Sequence, residues 1–211
     1  MAQLSPKAFD RKGEVMLKGI TRAGKYLTAL SLALAALATP ATAAVWYPAS
    51  GSVSGSSIFF SLYSPTSPFQ IGCNTTFNGT TSGATLTGVL ETYSCATTSG
   101  YRLTTTRVGE IPLYASVAEG NGSGKGYFII PSGTKYQFIA SGVCTLTISG
   151  PQTFYNGFSL SSSKLLRIYQ TGITGTISGP YASSCGKSPG AWTLDVEYPD
   201  MEPYYLAINP Y

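Results

Sequence analysis

Four carboxylates crowd one short stretch, Asp195, Glu197, Asp200 and Glu202, and they form the only acidic cluster in the chain. Two residues apart on a strand, Asp195 and Glu197 share a face. That disposition suits a hard cation such as calcium, which takes about six to eight oxygens, or a carboxylate pair working on a glycan. No EF-hand loop surrounds them, and the same residues serve as a solvated face that discourages edge-to-edge pairing. Ser161-Ser-Ser-Lys164 fits the pattern in which a lysine one helical turn on activates a serine. It lies in a serine-rich loop entering a strand, so the two groups do not share a helical face and a polar turn is expected. Gly120, Gly122, Gly124 and Gly126 around Lys125 have the look of a phosphate loop. A P-loop needs Ser or Thr after its lysine and a helix beyond, whereas Gly126 to Ile130 reads as a strand, which makes the glycines a hairpin loop. The chain contains no histidine, which removes the Ser-His-Asp and Cys-His arrangements and the commonest general base. A non-catalytic protein is expected, with no cofactor and no metal.

Cys73, Cys95, Cys144 and Cys185 are an even set, and with no C-x-x-C pair and no histidine anywhere they lack the spacing and the mixed ligands of a zinc site. In an exported chain they read as two disulfides. Export is the expectation from the amino terminus: Lys18, Arg22 and Lys25 precede an apolar run, Tyr26 to Leu37, that ends in Ala41-Thr42-Ala43. This is the basic, apolar and small-residue succession of a Sec signal. The apolar run is shorter than the roughly 20 residues of a membrane span. Residues 1–43 are assigned to the signal, with Met16 as the expected start, and residues 44–211 to one secreted β-domain with a short aromatic tail. Six of the thirteen basic residues and two of the nine acidic ones precede Ala44, leaving seven of each sign afterwards. The domain is therefore near neutral, shows no basic patch for nucleic acid, and lacks the charge that opposes self-association.

Aromatic residues are abundant. Trp192 and Phe138 are expected in the core. Trp46, Tyr47, Tyr204, Tyr205 and Tyr211 stand near the ends of the domain and are the candidate contact surface, because Tyr and Trp combine a large apolar body with a polar tip. Asn74-Thr-Thr, Asn78-Gly-Thr and Asn121-Gly-Ser are glycosylation acceptors in a source that has that pathway and turns in one that does not.

The elements that must hold these residues are strands. Runs rich in Thr, Val, Ile, Tyr and Phe alternate with Gly, Ser, Pro and Asn clusters, the pattern of a sandwich or barrel. Strands are expected at 58–63, 69–77, 84–93, 101–108, 126–130, 136–140, 143–148, 165–170, 172–177 and 191–198. The clearest is the last, where Trp192, Leu194, Val196 and Tyr198 alternate with Thr193, Asp195 and Glu197. Pro199 and Pro203 then interrupt pairing, and 204–211 is an edge strand or a terminal arm. The fold class is all-β, an antiparallel β-sandwich or flattened barrel of roughly 8–10 strands with two disulfides. A faint duplication sets Cys73 to Gly79 beside Cys144 to Gly150, and the approach to Cys95 beside the approach to Cys185. If each half closes on itself the pairs are Cys73–Cys95 and Cys144–Cys185, although four cysteines allow three connectivities.

Ile71-Gly-Cys73-Asn-Thr-Thr-Phe77-Asn-Gly79, the Thr- and Gly-rich run Ala84 to Gly88, and Cys95 resemble the secreted bacterial alkane-oxidation activators, the PraA/PraB group. The resemblance implies an exported, non-catalytic protein linked to growth on hydrophobic substrates and to the cell surface or biofilm matrix. The Tyr-rich second half and the aromatic tail depart from that family, and no catalytic motif carries over. The expected function is a secreted structural or surface-associated protein of matrix, adhesion or hydrophobic-substrate contact. Its partners would be copies of itself, matrix or cell-surface components, a glycan or an apolar surface. The alternatives are a pilus or filament subunit assembling by strand addition through 45–54 or 204–211, and a carbohydrate-binding module.

Overall fold

The computed structural model describes residues 44–65, 67 and 69–210. The expected signal segment, with Met16, and the terminal Tyr211 lie outside the described residues.

Thirteen strands and one helical turn are found among the described residues. The long strands are β2 (Ser50–Tyr63), β3 (Ile71–Ser82), β4 (Thr85–Thr97), β11 (Leu166–Ser178) and β12 (Gly190–Tyr198). Shorter ones are β5 (Thr104–Val108), β6 (Ile111–Gly120), β7 (Ser123–Ile130), β8 (Lys135–Ala140), β9 (Cys144–Ser149) and β10 (Gln152–Leu160). At the ends of the domain lie β1 (Ala44–Tyr47) and β13 (Ala207–Pro210), and the helical turn α1 is Ala182–Cys185.

The large sheet runs β10-β7-β6-β4-β3-β2-β12-β11-β9-β8-β5, and an added β10–β11 pairing closes its first eight strands into an antiparallel barrel. β11 pairs with β10 through Leu166 to Ile168 and with β9 through Gly175 to Ser178. The five long strands thus form one wall that faces two tiers, β6-β7-β10 above and β5-β8-β9 below. The tiers join at three short breaks, Gly109-Glu110, Pro131 to Thr134 and Gly150-Pro151. The buried Thr134 stitches them together: its carbonyl accepts the Gly150 N–H at 3.1 Å and its hydroxyl reaches the Glu110 carbonyl at 3.5 Å. At Gly150 an added Cβ would lie 1.9 Å from the Pro131 oxygen, so only glycine lets the tiers approach this closely.

Period-two alternation fills the barrel. Trp192, Leu194, Val196 and Tyr198 are buried, as expected, with Asp195 and Glu197 on the outer face. Phe138 is also buried. Two aromatic rings stand over facing glycine pairs. Phe77 covers Gly79 and Gly88, which are register partners, and Trp192 covers Gly175 and Gly190, likewise partners. A large ring over a bare backbone restores the contacts that a missing side chain forfeits. Tyr198 stacks obliquely on Phe77 at 5.9 Å and shares a 3.1 Å hydrogen bond with the Thr75 hydroxyl, which donates to the Glu91 carbonyl at 2.7 Å.

The disulfides are Cys73–Cys95 and Cys144–Cys185. The first bridges neighbouring strands β3 and β4 at a bulge, and the second ties the start of β9 to α1, so the two halves close on themselves by different geometries. The Ser67 hydroxyl donates to the Cys185 carbonyl and accepts from the Phe69 N–H at 3.0 Å, which fixes the turn after β2 against the second bridge.

β6 and β10 lie where no strand was expected, and the two expected strands at 165–170 and 172–177 are one element, β11, bent between Gln170 and Ile173 where Gly172 has φ +75°. The tail forms the edge strand β13.

Candidate functional site

The candidate contact residues gather where the domain's two ends meet. β1 and β13 pair antiparallel, Ala44 with Pro210 through Tyr47 with Ala207, and form a small lid over the β6–β7 end of the barrel. Alternation in β1 turns Ala44 and Trp46 inward and Tyr47 outward. Trp46 is therefore not a contact residue: it is fully buried, stacked on Phe158 at 5.5 Å, with its indole N–H directed to the Leu113 carbonyl at 3.3 Å. Tyr47, Tyr204 and Tyr205 are 51%, 81% and 58% exposed, and the Tyr47 and Tyr205 rings meet edge to face at 6.0 Å. The lid is anchored on the glycine hairpin, since the Ile208 N–H donates to the Gly122 carbonyl at 3.0 Å. That hairpin is a tight turn with Asn121 at φ +51° and a Lys125–Glu119 ion pair at 2.7 Å.

Beside this aromatic group runs a seam in the barrel wall. β12 pairs with β2 only through Phe60 to Tyr63; farther along, 199–206 follows β2 and touches it at a single bridge, Ser54 with Glu202, through backbone hydrogen bonds of 3.0 and 2.8 Å. Pro199 and Pro203 each remove one backbone donor from this segment, and the Leu206 N–H turns back to the Pro203 carbonyl at 2.8 Å. Two shallow depressions flank the bridge. One, of about 360 Å³, is bordered by Pro48, Ser50, Ser52, Glu202 and Tyr205. The other, of about 380 Å³, is bordered by Ser56, Thr76, Asn78 and Asp200. The outer faces of β2 and β3 continue this hydroxyl lining, with Ser52 opposite Thr80 and Ser50 opposite Ser82.

The acidic cluster is split. Arg167 grips Asp195 with two bonds, Nε to Oδ1 at 3.0 Å and Nη2 to Oδ2 at 2.8 Å, and its Nε stands 3.3 Å from Glu197. Its guanidinium lies 5.2 Å over the Tyr169 ring. Hydrogen bonding to Asp195 raises the Arg167 pKa, so this cation remains charged. Loss of hydration, then neighbouring Tyr169 and Asp195, pushes the nearby Tyr63 hydroxyl above its ordinary value. Asp200 and Glu202 belong to the seam instead, and among the described residues no group of three or more candidate ligands is placed to hold a metal ion. Ser161 caps its own turn, accepting from the Leu165 N–H at 3.0 Å beside Ser163 at 2.9 Å, and Lys164 has φ +67°. These are the contacts of a polar turn. Asn78 and Asn121 are exposed and Asn74 is half-buried on β3.

Sequence reasoning missed a second apolar projection. The β2 bulge between Ser57 and Phe60 throws Ile58 outward, 88% exposed, beside Phe59, and they border one depression with Tyr93. Its signal was the run of three apolar residues at 58–60, which alternation cannot bury together. Inside, the barrel holds a cavity of about 30 Å³ bordered by Phe60, Leu90, Ile173 and the ring of Tyr136, with only apolar surface exposed in it. Among the described residues, no helix is long and apolar enough to cross a membrane.

No protein-family model, no curated protein and no solved structure matches the chain.

Proposed function

We propose that the chain is a secreted, non-catalytic structural protein that attaches to extracellular matrix or cell-surface material through its outer barrel faces. The observation that carries this reading is the chemistry of that exterior. Among the described residues nine tyrosines are 36% or more exposed, set among serine, threonine, asparagine and glycine, with few charges. Tyrosine supplies large, rigid, amphipathic contact area at low entropic cost, and small polar residues beside it supply adaptable hydrogen bonds. Two disulfides suit an oxidising compartment. Fractionation tests the reading: the protein should remain with matrix or cells through a low-salt wash, and recovery solely as free monomer in the culture fluid would overturn it.

A glycan-binding reading is favoured by one feature, the depression bordered by Tyr205, Ser50, Ser52 and Glu202. Retention on immobilised polysaccharide that Tyr205→Ala abolishes would support it, and no retention of the wild type would exclude it. Filament assembly by strand addition asks more of the molecule, because β1 and β13 must first unpair from each other.

A further inference from the structure

We infer that Tyr47 and Tyr205 form a site of oxidative coupling, where hydrogen peroxide acting through a peroxidase joins the two rings by a carbon–carbon bond. Three observations converge. The first is selectivity. Among the described residues no cysteine is free, Met201 is 1% exposed, and Trp46 and Trp192 are 0% and 1% exposed. The chain has no histidine. The side chains that normally intercept oxidants are thus in bridges or buried, and tyrosine is the oxidisable group left at the surface.

The second is proximity. Tyr47 and Tyr205 stand 6.0 Å apart at the ring centroids, both more than half exposed, so each phenol is open to an oxidant and has its partner within side-chain rotation. Pre-placement of this kind turns an encounter between two radicals into an intramolecular step. The third is position. Both disulfides fall between residues 73 and 185, so neither reaches the lid, which is held by noncovalent contacts: four backbone pairs, the hydrogen bonds of Trp46 to Gly83 and of Ile208 to Gly122, and the buried indole. A bond between Tyr47 and Tyr205 would supply the covalent tie that the lid lacks.

The chemistry balances. Each phenol gives up one electron and its hydroxyl proton, forming a phenoxyl radical. The radicals join at the ring carbons next to the hydroxyl-bearing carbon, one Cε from each residue. The hydrogen on each joined carbon then leaves as a proton while the phenoxyl oxygen regains one, restoring two phenols. In sum the protein loses two hydrogen atoms, and one hydrogen peroxide becomes two water molecules.

The test uses purified protein with both disulfides intact, treated with hydrogen peroxide and a haem peroxidase and then separated into monomer and oligomer. The monomer fraction should yield a linked peptide pair containing Tyr47 and Tyr205, lighter than the two peptides together by two hydrogens, stable to thiol reductant and bearing dityrosine fluorescence. Tyr205→Phe should abolish that pair. Tyr127→Phe and Tyr169→Phe, which remove two other close pairs, Tyr127 with Tyr155 at 5.2 Å and Tyr169 with its hydrogen-bond partner Tyr63, should leave it intact. Among the described residues neither the Tyr205 nor the Tyr127 hydroxyl makes a hydrogen bond, and Tyr205 is 58% exposed, so these two Phe variants should melt within a few degrees of wild type. Linked dimers without the 47–205 pair, or a monomer linked only through other pairs such as Tyr127 with Tyr155 or Tyr63 with Tyr169, would overturn the inference. Neither result bears on matrix attachment, which the fractionation reads separately.

Discussion

Replacing Gly88 by alanine tests whether the Phe77 ring over its glycine pair is a fixed part of the barrel. A Cβ at Gly88 would lie 2.3 Å from Phe77 Cζ and 2.8 Å from both Cε atoms. Carbon contacts settle at about 3.5–4.0 Å, so the ring must retreat by about 1.2 Å. It has little room: Phe77 is fully buried and leans on Tyr198. Overpacking of this kind costs about 1–3 kcal/mol, a fall in Tm of roughly 2–12 °C for a domain of this size. Urea unfolding with the disulfides intact measures it. Phe77→Leu should be destabilising alone through the cavity it leaves, yet adding Gly88→Ala to it should cost less than in the wild type, by at least about 0.5 kcal/mol, because the two residues are in contact. A neutral Gly88→Ala, or strict additivity of the two changes, would refute the ring-over-glycine argument.

Burial raises the Tyr136 and Tyr198 hydroxyls above their ordinary value, with Arg107 and the Leu90 backbone partly opposing it at Tyr136 and the Thr75 hydrogen bond at Tyr198. The unfolded chain therefore releases these protons first: stability should be level with respect to them below about pH 10 and fall above it by about 1.4 kcal/mol per pH unit for each tyrosine. Urea midpoints across the alkaline range should show that fall, and Tyr136→Phe should reduce its slope; an unchanged slope in the variant would count against the assignment. Trp46→Ala should lose about 3–5 kcal/mol, as for a large core side chain, whereas the 81% exposed Tyr204→Ala should stay within about 0.5 kcal/mol of wild type. Equal effects in thermal melts would contradict the inward turn of Trp46. Removing Cys144–Cys185 by paired serine substitution should cost about 4 kcal/mol, slightly more than removing Cys73–Cys95, since the bridges close 41 and 22 residues of separation. The reverse ranking in urea would show that native contacts of α1, rather than chain constraint, set the difference.

The parts legible from sequence were those in which one short pattern decides the outcome. The alternation from Trp192 to Tyr198 needs only its own residues to choose a buried face, and the cysteine spacing allowed the observed pairing among three. β6 escaped notice because Pro112 sits inside it, and a proline normally demotes a run; here it pairs with Thr87 in β4 without donating. β10 was hidden by its Pro151 approach and by the bulge at Tyr155 to Gly157, with Asn156 at φ +53°. Trp46 was placed at the surface because it stands near the end of the domain, a rule that fails when the two ends pair. Tyr47 and Tyr205 were both singled out, yet their meeting depends on the β1–β13 register, which no local pattern encodes. The grip of Arg167 on Asp195 has the same origin, the β11–β12 register, which brings together residues 28 apart in sequence.

The pairing of Ala44 with Pro210 also orders events in time. Synthesis delivers the chain from its amino end, and most of the barrel's strand neighbours are already present before residue 207 appears. Trp46 must wait for Ile208 through all of it, among the longest loop closures the molecule makes. Until β13 emerges, β1 keeps an unpaired strand edge open to neighbouring nascent chains, and its indole has Phe158 and Leu113 but lacks the strand that completes the lid. A chain ending at Pro203 should therefore show red-shifted tryptophan emission and stronger association than one that carries β13, whose arrival ends the interval of exposure.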